Sequence, residues 1–337
     1  MTQTGVLTAD AVSVDYPLPA TWPWQAAGRL RAVHEASLTL HAGQTLGLVG
    51  ESGCGKSSLA RALTGLAPVT GGQVLLDGQP MRFDTSARAR ALRADVQMIF
   101  QDPLASLDPR MTVAQIVAEP LAILRPDISR AARRQRVVQM LERVGLTQAQ
   151  MGRYPHEFSG GQCQRVGIAR ALVVEPRVLI CDEPVSALDV SIQARILALL
   201  GELQRETNIA ILFIAHDLAV VRQISDRVRV MYLGAPMEEA AAGELFDQPR
   251  HPYTQALLSA VPRPELAAER ARQRIRLNSE LPSPANPPSG CVFRTRCPWA
   301  RPDCAREVPD WRRLGGSYVA CHHAEAIDST PPAPASG

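Results

Sequence analysis

The chain has 337 residues, 46% of them hydrophobic, enough for more than one domain and a sizeable core. Net charge is only +3, with 36 basic against 33 acidic residues, which leaves no strong electrostatic footprint for nucleic acid. No uncharged apolar run approaches the ~18 residues of a membrane span, and the opening MTQTGVLTAD lacks a basic stretch followed by an apolar core, so neither a spanning helix nor a signal peptide is expected. That reading is cytosolic.

Residues 6–15 alternate weakly and predict a strand, and residues 17–30, with three prolines and two tryptophans, read as a loop insertion. Residues 31–49 read as a strand, a turn at His41-Ala42-Gly43, and a second strand. That strand, Thr45–Val49, runs into Gly50-Glu51-Ser52-Gly53-Cys54-Gly55-Lys56-Ser57-Ser58, the G-x-x-x-x-G-K-S phosphate-binding pattern, and a helix-like run follows. Glycines let successive N–H groups point inward at phosphate oxygens, and the helix N-terminus adds partial positive charge. Lys56 can reach the β- and γ-phosphates, and the Ser57 hydroxyl can ligate Mg²⁺. Lys56 is also the only lysine in the chain, placed where a compact ammonium is wanted rather than a planar fork.

Gly71-Gly72 opens a short strand closed by an Asp77-Gly78 hairpin turn, so the first 80 residues predict a small antiparallel sheet around the phosphate loop. Residues 85–95 read as a helix and Val96–Phe100 as a strand. From 111 to 150 the pattern is helical, with Gly145 as a stop: an α-helical insert in an otherwise α/β chain. Three near-continuous apolar runs at Val178–Cys181, Ala210–Ile214 and Val228–Leu233 predict strands covered on both faces and wired β–α–β. After 247 prolines cluster, four cysteines follow, and a Pro/Ala/Ser tail is expected to be disordered. The region from 260 on is too short and proline-rich to build much of a core and would need a staple.

Four more stretches carry chemistry. Arg177–Glu183 is an apolar strand ending in Asp182-Glu183, where the first carboxylate can organise Mg²⁺ and the second can polarise a water; alone, a strand with an acidic turn fits as well. Ile211–His216 is a strand ending in His216, and a capping or core histidine is the plain alternative. Gln101, just past a strand, can reach a metal or a water. Ser159-Gly160-Gly161-Gln162 opens a second anion-binding helix start, which cannot easily serve the same nucleotide in the same chain.

Taken in this order, with Ser186-Ala187-Leu188-Asp189, the motifs resemble the ATP-binding cassette (ABC) ATPases. The resemblance implies an α/β fold with a P-loop NTPase (RecA-like) core, an antiparallel β subdomain and an α-helical insert, plus a cysteine-containing, proline-rich C-terminal extension. It implies ATP and Mg²⁺ as cofactors, with Gly50, Ser52, Gly53, Cys54, Gly55, Lys56, Ser57 and Ser58 on the nucleotide and Ser57, Gln101 and Asp182 around the metal. Glu183 is then the catalytic base, His216 the γ-phosphate contact, Gln101 the Mg²⁺ sensor and Tyr16 an adenine platform. Ser159, Gly160, Gly161 and Gln162 would close over the ATP of a partner in a head-to-tail dimer. Phe158 stands where many relatives have Leu, and Cys181 is a small apolar stand-in.

Arg153–Phe158, Arg250–Leu258, Glu280–Pro284 and the cysteine tail resemble the peptide-importer branch, in particular its second (F-type) permease ATPases. This implies a cassette over 6–258 with a helical subdomain near 102–172, an extension over 259–326 and a disordered 327–337. The implied partners are a second ABC ATPase subunit, two transmembrane permeases and, indirectly, an extracytoplasmic peptide-binding protein, at the cytoplasmic face of the plasma membrane. Import of nickel or glutathione, a soluble ABC ATPase and a non-hydrolysing partner are the alternatives. Cys291, Cys297, Cys304 and Cys321 are spaced C-x₅-C-x₆-C-x₁₆-C, not as the paired C-x₂-C of zinc ribbons. Four thiolates suit zinc or, as the branch implies, a [4Fe–4S] cluster; His322 and His323 can compete as ligands, and a disulfide or unligated thiols remain open.

Overall fold

The computed structural model describes residues 5–18, 28–84, 86–186, 188–261, 275, 277 and 280–327. The tryptophan-bearing part of the expected loop, Ala187 and the Pro/Ala/Ser tail lie outside the described residues. The chain begins with β1 (Leu7–Leu18) and β2 (Gly28–Leu40), then β3 (Thr45–Val49) and α1 (Lys56–Leu63), then β4 (Gly71–Leu76) and β5 (Gln79–Pro80). β1 and β2 form a long antiparallel hairpin with Leu18 opposite Gly28, so 17–18 and 28–30 belong to strands and not, as expected, to a loop insertion. Pro17 and Gly28, residues that ordinarily mark loops, hid these strand ends from a periodicity reading. Strands β2-β1-β4-β5 make a four-stranded antiparallel sheet.

α2 (Ala87–Asp95) and β6 (Val96–Ile99) follow, then the helical insert: α3 (Val113–Leu124), α4 (Arg130–Arg143) and α5 (Gly160–Leu172). Thr112, Ser129 and Ser159 cap these helices, each side chain accepting a backbone N–H in the first turn. Gly145 ends α4 as expected, with Leu146 N–H donating to Leu141 O.

β7 (Val178–Asp182), α6 (Val190–Thr207), β8 (Ala210–Ile214), α7 (Leu218–Ile224), β9 (Arg227–Tyr232), β10 (Ala235–Ala241), α8 (Ala242–Asp247) and α9 (Pro252–Ala260) complete the main body. The second sheet has the order β11-β12-β10-β9-β3-β8-β7-β6, where β11 (Arg312–Leu314) and β12 (Ser317–Val319) come from the tail. β9, β3, β8, β7 and β6 are parallel to one another. Their apolar runs are covered on both faces: Leu179, Cys181, Ile211 and Phe213 enter one core, and Val178, Ile180, Leu212 and Ile214 the other.

Among the described residues, the extension adds Cys291, Phe293 and Cys304 to the main core. β12 pairs antiparallel with β10, and Phe293 is fully buried against Tyr232 and Tyr253 at ring-centroid distances of 5.2 Å. It borrows the cassette's core, which is how so proline-rich a segment folds. No helix among the described residues is long and apolar enough to cross a membrane.

Candidate active site

The chemical residues collect where an open parallel sheet places its ligands, at the carboxyl ends of the strands. The phosphate loop leaves β3, Gln101 follows β6, Asp182 ends β7 and His216 follows β8. At Gly55 the backbone takes φ +101°, and a Cβ there would stand 2.1 Å from Ala32 O, so only glycine fits. Lys56 is buried and donates to Gly50 O at 2.8 Å and Glu51 O at 2.9 Å, which holds the loop curled around its ammonium. Cys54 Sγ lies 3.7 Å from Lys56 Nζ, and burial pushes the Cys54 thiol up. Ser52 and Gly53 are exposed at the tip, and Ser58 continues into α1.

Ser57 Oγ donates to Asp182 Oδ1 at 2.9 Å, which brings together a hydroxyl and a carboxylate of the kind that can ligate Mg²⁺. Burial pushes the Asp182 carboxyl up, against the hydrogen bond from Ser57. Glu183 adopts φ +48°, a strained left-handed conformation for a non-glycine residue, with its N–H bonded to Ile214 O at 3.0 Å. The bend sets its carboxylate beside two groups: Gln101 Nε2 donates to Glu183 Oε2 at 2.9 Å, and His216 Nδ1 is 3.6 Å from the same oxygen. A carboxylate flanked by an amide and an imidazole is equipped to orient and deprotonate a water.

The second anion-binding helix start is placed differently. Ser159 caps α5 with a capping box, Ser159 N–H donating to Gln162 Oε1 at 3.0 Å, and Ser159 and Gly160 are exposed. Among the described residues no hydrogen bond links Ser159–Gln162 to the phosphate loop. Tyr16 lies on β1, half-buried against the second core, and no described hydrogen bond ties it to Gly50–Ser58.

The motif reading missed the far wall of the loop. Glu51 N–H donates to Tyr253 Oη at 2.9 Å, and Arg296 Nη1 lies 2.7 Å from Glu51 Oε2. Arg296 comes from the extension, with its guanidinium 5.8 Å from the Tyr232 ring centroid. Glu51 occupies a variable position of the motif, so only its charge, alone among the uncharged and basic residues of Gly50–Ser58, could have flagged it.

The fold is that of known cassettes. A family pattern described as "ABC transporter" matches residues 33–186, and one described as "Oligopeptide/dipeptide transporter, C-terminal region" matches 237–304. The oligopeptide transport ATP-binding protein OppF of Salmonella typhimurium is 57% identical over 303 residues, covering 89% of this chain and 90% of that one. The chain belongs to the peptide-transport ATP-binding proteins of the ABC transporter family. Other relatives of this cassette are the oligopeptide transport ATP-binding protein AppF of Bacillus subtilis, 53% identical over 88% of this chain and 90% of that one, and the di/tripeptide transport ATP-binding protein DppF of Pseudomonas aeruginosa, 50% identical over 88% and 91%. Among solved structures it superposes on cbiO1 from Clostridium perfringens, part of the ABC transporter complex cbiONQ, with TM-score 0.61 at 28% identity over 73% of this chain and 92% of that one. The cassette MJ0796, in a dimeric post-hydrolysis state bound to ADP and Pi, matches with TM-score 0.61 at 27% identity over 70% and 98%. This cassette is therefore an ATPase of the ABC type.

Its four tail cysteines are free of disulfides and line one small cavity with His251, Phe293 and His323. Burial pushes the Cys297 thiol up to about 12 and that of Cys321 to about 11, with neighbouring cysteines adding to both shifts. Asp303, Cys304 and His323 offer ligand atoms all within 4.8 Å of one another, and the four sulfurs do not form such a group.

Proposed function

We propose that the chain is the ATP-hydrolysing subunit of a bacterial importer for di- or oligopeptides. The observation that carries this is the joint one: Ser57–Asp182 and Gln101–Glu183–His216 assembled at one strand edge, in a chain 57% identical to an oligopeptide transport ATP-binding protein. Lys56 and the loop amides would bind the triphosphate, Ser57 and Asp182 would hold Mg²⁺, whose charge would offset that developing on the phosphate oxygens, and Glu183 would take the proton of the attacking water. Gln101 and His216 keep that carboxylate and the water aligned.

The exposed Ser159-Gly160 end of the Ser159–Gln162 turn supports closure over the nucleotide of a second ABC ATPase in a head-to-tail heterodimer, and the dimeric MJ0796 cassettes support such a pairing. Two transmembrane permeases receive the stroke through the helical insert around 102–150, and an extracytoplasmic binding protein delivers peptide. The subunit then sits on the cytoplasmic face of the plasma membrane. The same reading divides the chain into a cassette over 6–258, with a helical subdomain near 102–172, and an extension over 259–326. Labelled dipeptide uptake in a deletion strain tests the substrate: restoration by the wild-type gene and not by Lys56→Ala supports peptide import, and unchanged uptake in the deletion strain overturns it.

The further proposal for the cysteine cavity is a [4Fe–4S] cluster, for which four thiolates are the usual ligands. A single tetrahedral zinc with four thiolates at about 2.3 Å would draw the sulfurs to under ~4 Å apart, and these four do not all lie within 4.8 Å of one another. Cys291, Cys297, Cys304 and Cys321 would hold the cluster, as a structural staple of the extension. The Asp303–Cys304–His323 group favours a second reading, a mononuclear zinc. Iron, sulfide and zinc analysis of anaerobically purified protein decides between them, and colourless, iron-free protein overturns the cluster.

A further inference from the structure

The loop Gly50–Ser58 must accept a polyanion, yet it carries one carboxylate, Glu51. An unneutralised carboxylate in an anion cradle repels phosphate and, left mobile, competes for the ammonium of Lys56. Neutralisation comes from outside the conserved-motif region: Arg296, 245 positions later in the chain, pairs with Glu51 Oε2 at 2.7 Å. Its side chain is only 8% exposed, against 26% for that of Glu51, so solvent screens the contact less than it would a surface pair. Tyr253 Oη takes the Glu51 N–H at the same time, and Lys56 takes the Glu51 carbonyl, so the residue is held at its backbone and its side chain.

Arg296 is itself anchored by the extension. Its N–H donates to Phe293 O at 3.0 Å, and Phe293 is wedged between Tyr232 and Tyr253. The turn carrying it runs from Cys291 to Cys297, two of the residues lining the cysteine cavity, and Cys291 N–H donates to Cys304 O at 2.8 Å. We infer that Arg296 is a positioning residue of the nucleotide site, which neutralises Glu51 and makes triphosphate affinity depend on the integrity of the cysteine-lined end of the extension. The inference rests on the reading that the loop binds ATP.

The test is equilibrium binding of a fluorescent ATP analogue to the full-length protein, with thermal melting measured alongside. Arg296→Gln is expected to weaken affinity about tenfold and more steeply at low salt, and Arg296→Lys to recover part of the loss. The double variant Glu51→Gln/Arg296→Gln is expected to regain most of the affinity, because the carboxylate that needed neutralising is gone; a purely structural pair gives no such recovery. Cys297→Ser is expected to weaken binding in the wild-type background and to leave it unchanged in the Glu51→Gln background. Wild-type affinity in a folded Arg296→Gln protein, or a double variant weaker than either single one, overturns the inference. If Arg296→Gln does not fold, Glu51→Gln alone decides: affinity equal to or tighter than wild type supports the charge argument, and a loss overturns it. Wild-type protein that binds no nucleotide overturns the ATP reading first and this inference with it.

Discussion

Ser57 Oγ donates a 2.9 Å hydrogen bond to Asp182 Oδ1 across 125 positions of sequence, joining the start of α1 to the end of β7. Both groups are hard oxygen donors of the kind Mg²⁺ takes, and the proposed metal role is tested at Asp182. Asp182→Asn keeps the shape and the hydrogen bond and removes the charge. ATPase activity at ordinary Mg²⁺ is expected to fall about 100-fold or more and to recover in part as Mg²⁺ is raised, while the melting temperature stays close to wild type. Magnesium titration of steady-state hydrolysis checks it, and a midpoint in Mg²⁺ identical to that of the wild type would remove Asp182 from the metal site.

Glu183, the proposed base, has its Oε2 2.9 Å from Gln101 Nε2 and 3.6 Å from His216 Nδ1. Glu183→Gln is nearly isosteric and cannot accept a proton. It is expected to bind ATP like wild type and to lose about 10²- to 10⁴-fold in turnover, which traps the ATP-bound closed dimer. Single-turnover hydrolysis and size-exclusion chromatography with ATP measure the two effects separately. Normal turnover would refute the base assignment.

The placement of Gln101, Asp182, Glu183 and His216 was legible in the sequence because each sits within two positions of a strand end that an apolar run announces, and that of Lys56 and Ser57 because their motif follows β3 directly. The parallel sheet was legible for the same reason. The clamp on Glu51 was not, because its partners Tyr253 and Arg296 lie 202 and 245 positions away on segments with no catalytic pattern. β11 and β12 were also hidden. Each is three residues long and carries no alternation of its own, and β12 is held by pairing with β10, a contact that no local pattern encodes. The strand ends at 17–18 and 28–30 were masked by Pro17 and Gly28, which read as loop residues.

Neighbouring glycines at the second helix start separate what this chain needs from what a partner needs. A Cβ on Gly161 would meet Ile192 Cγ2 at 2.6 Å, whereas a Cβ on Gly160 finds its nearest neighbour, Leu188 Cδ2, at 3.9 Å. Gly161→Val is expected to lower stability by about 1–3 kcal/mol through overpacking, read as a shift in the melting curve. Gly160→Asp is expected to leave stability and ATP binding intact and to abolish hydrolysis, by setting a carboxylate where the partner's phosphates arrive. A Gly160→Asp protein that hydrolyses ATP normally with its partner would sink the composite-site reading.

His251 gives the protein an acid limit on stability. It is fully buried, its Nδ1 accepts the Tyr253 N–H at 3.0 Å at the start of α9, and it packs on Phe293. Burial lowers its pKa from the ordinary 6.5 to about 3. The sign follows from which state takes the proton. The unfolded chain protonates His251 near 6.5 and the native chain refuses until about 3, so the stabilising contribution is complete above 6.5 and is lost as pH falls from 6.5 towards 3. Between pH 7.5 and 5 this one group accounts for about 2 kcal/mol, which is 1.36 kcal/mol for each of roughly 1.5 pH units below the unfolded pKa. His251→Asn preserves a side-chain oxygen to cap α9 and has no titration. The variant is expected to be less stable at neutral pH, because it fills less of the space beside Phe293, and to lose less on acidification. Urea unfolding of both proteins at pH 7.5 and pH 5 gives the four free energies. A drop that is the same size in both would show that His251 does not carry the acid sensitivity, whereas a drop smaller by about 2 kcal/mol in the variant assigns it to the imidazole that must stay neutral to receive the Tyr253 amide.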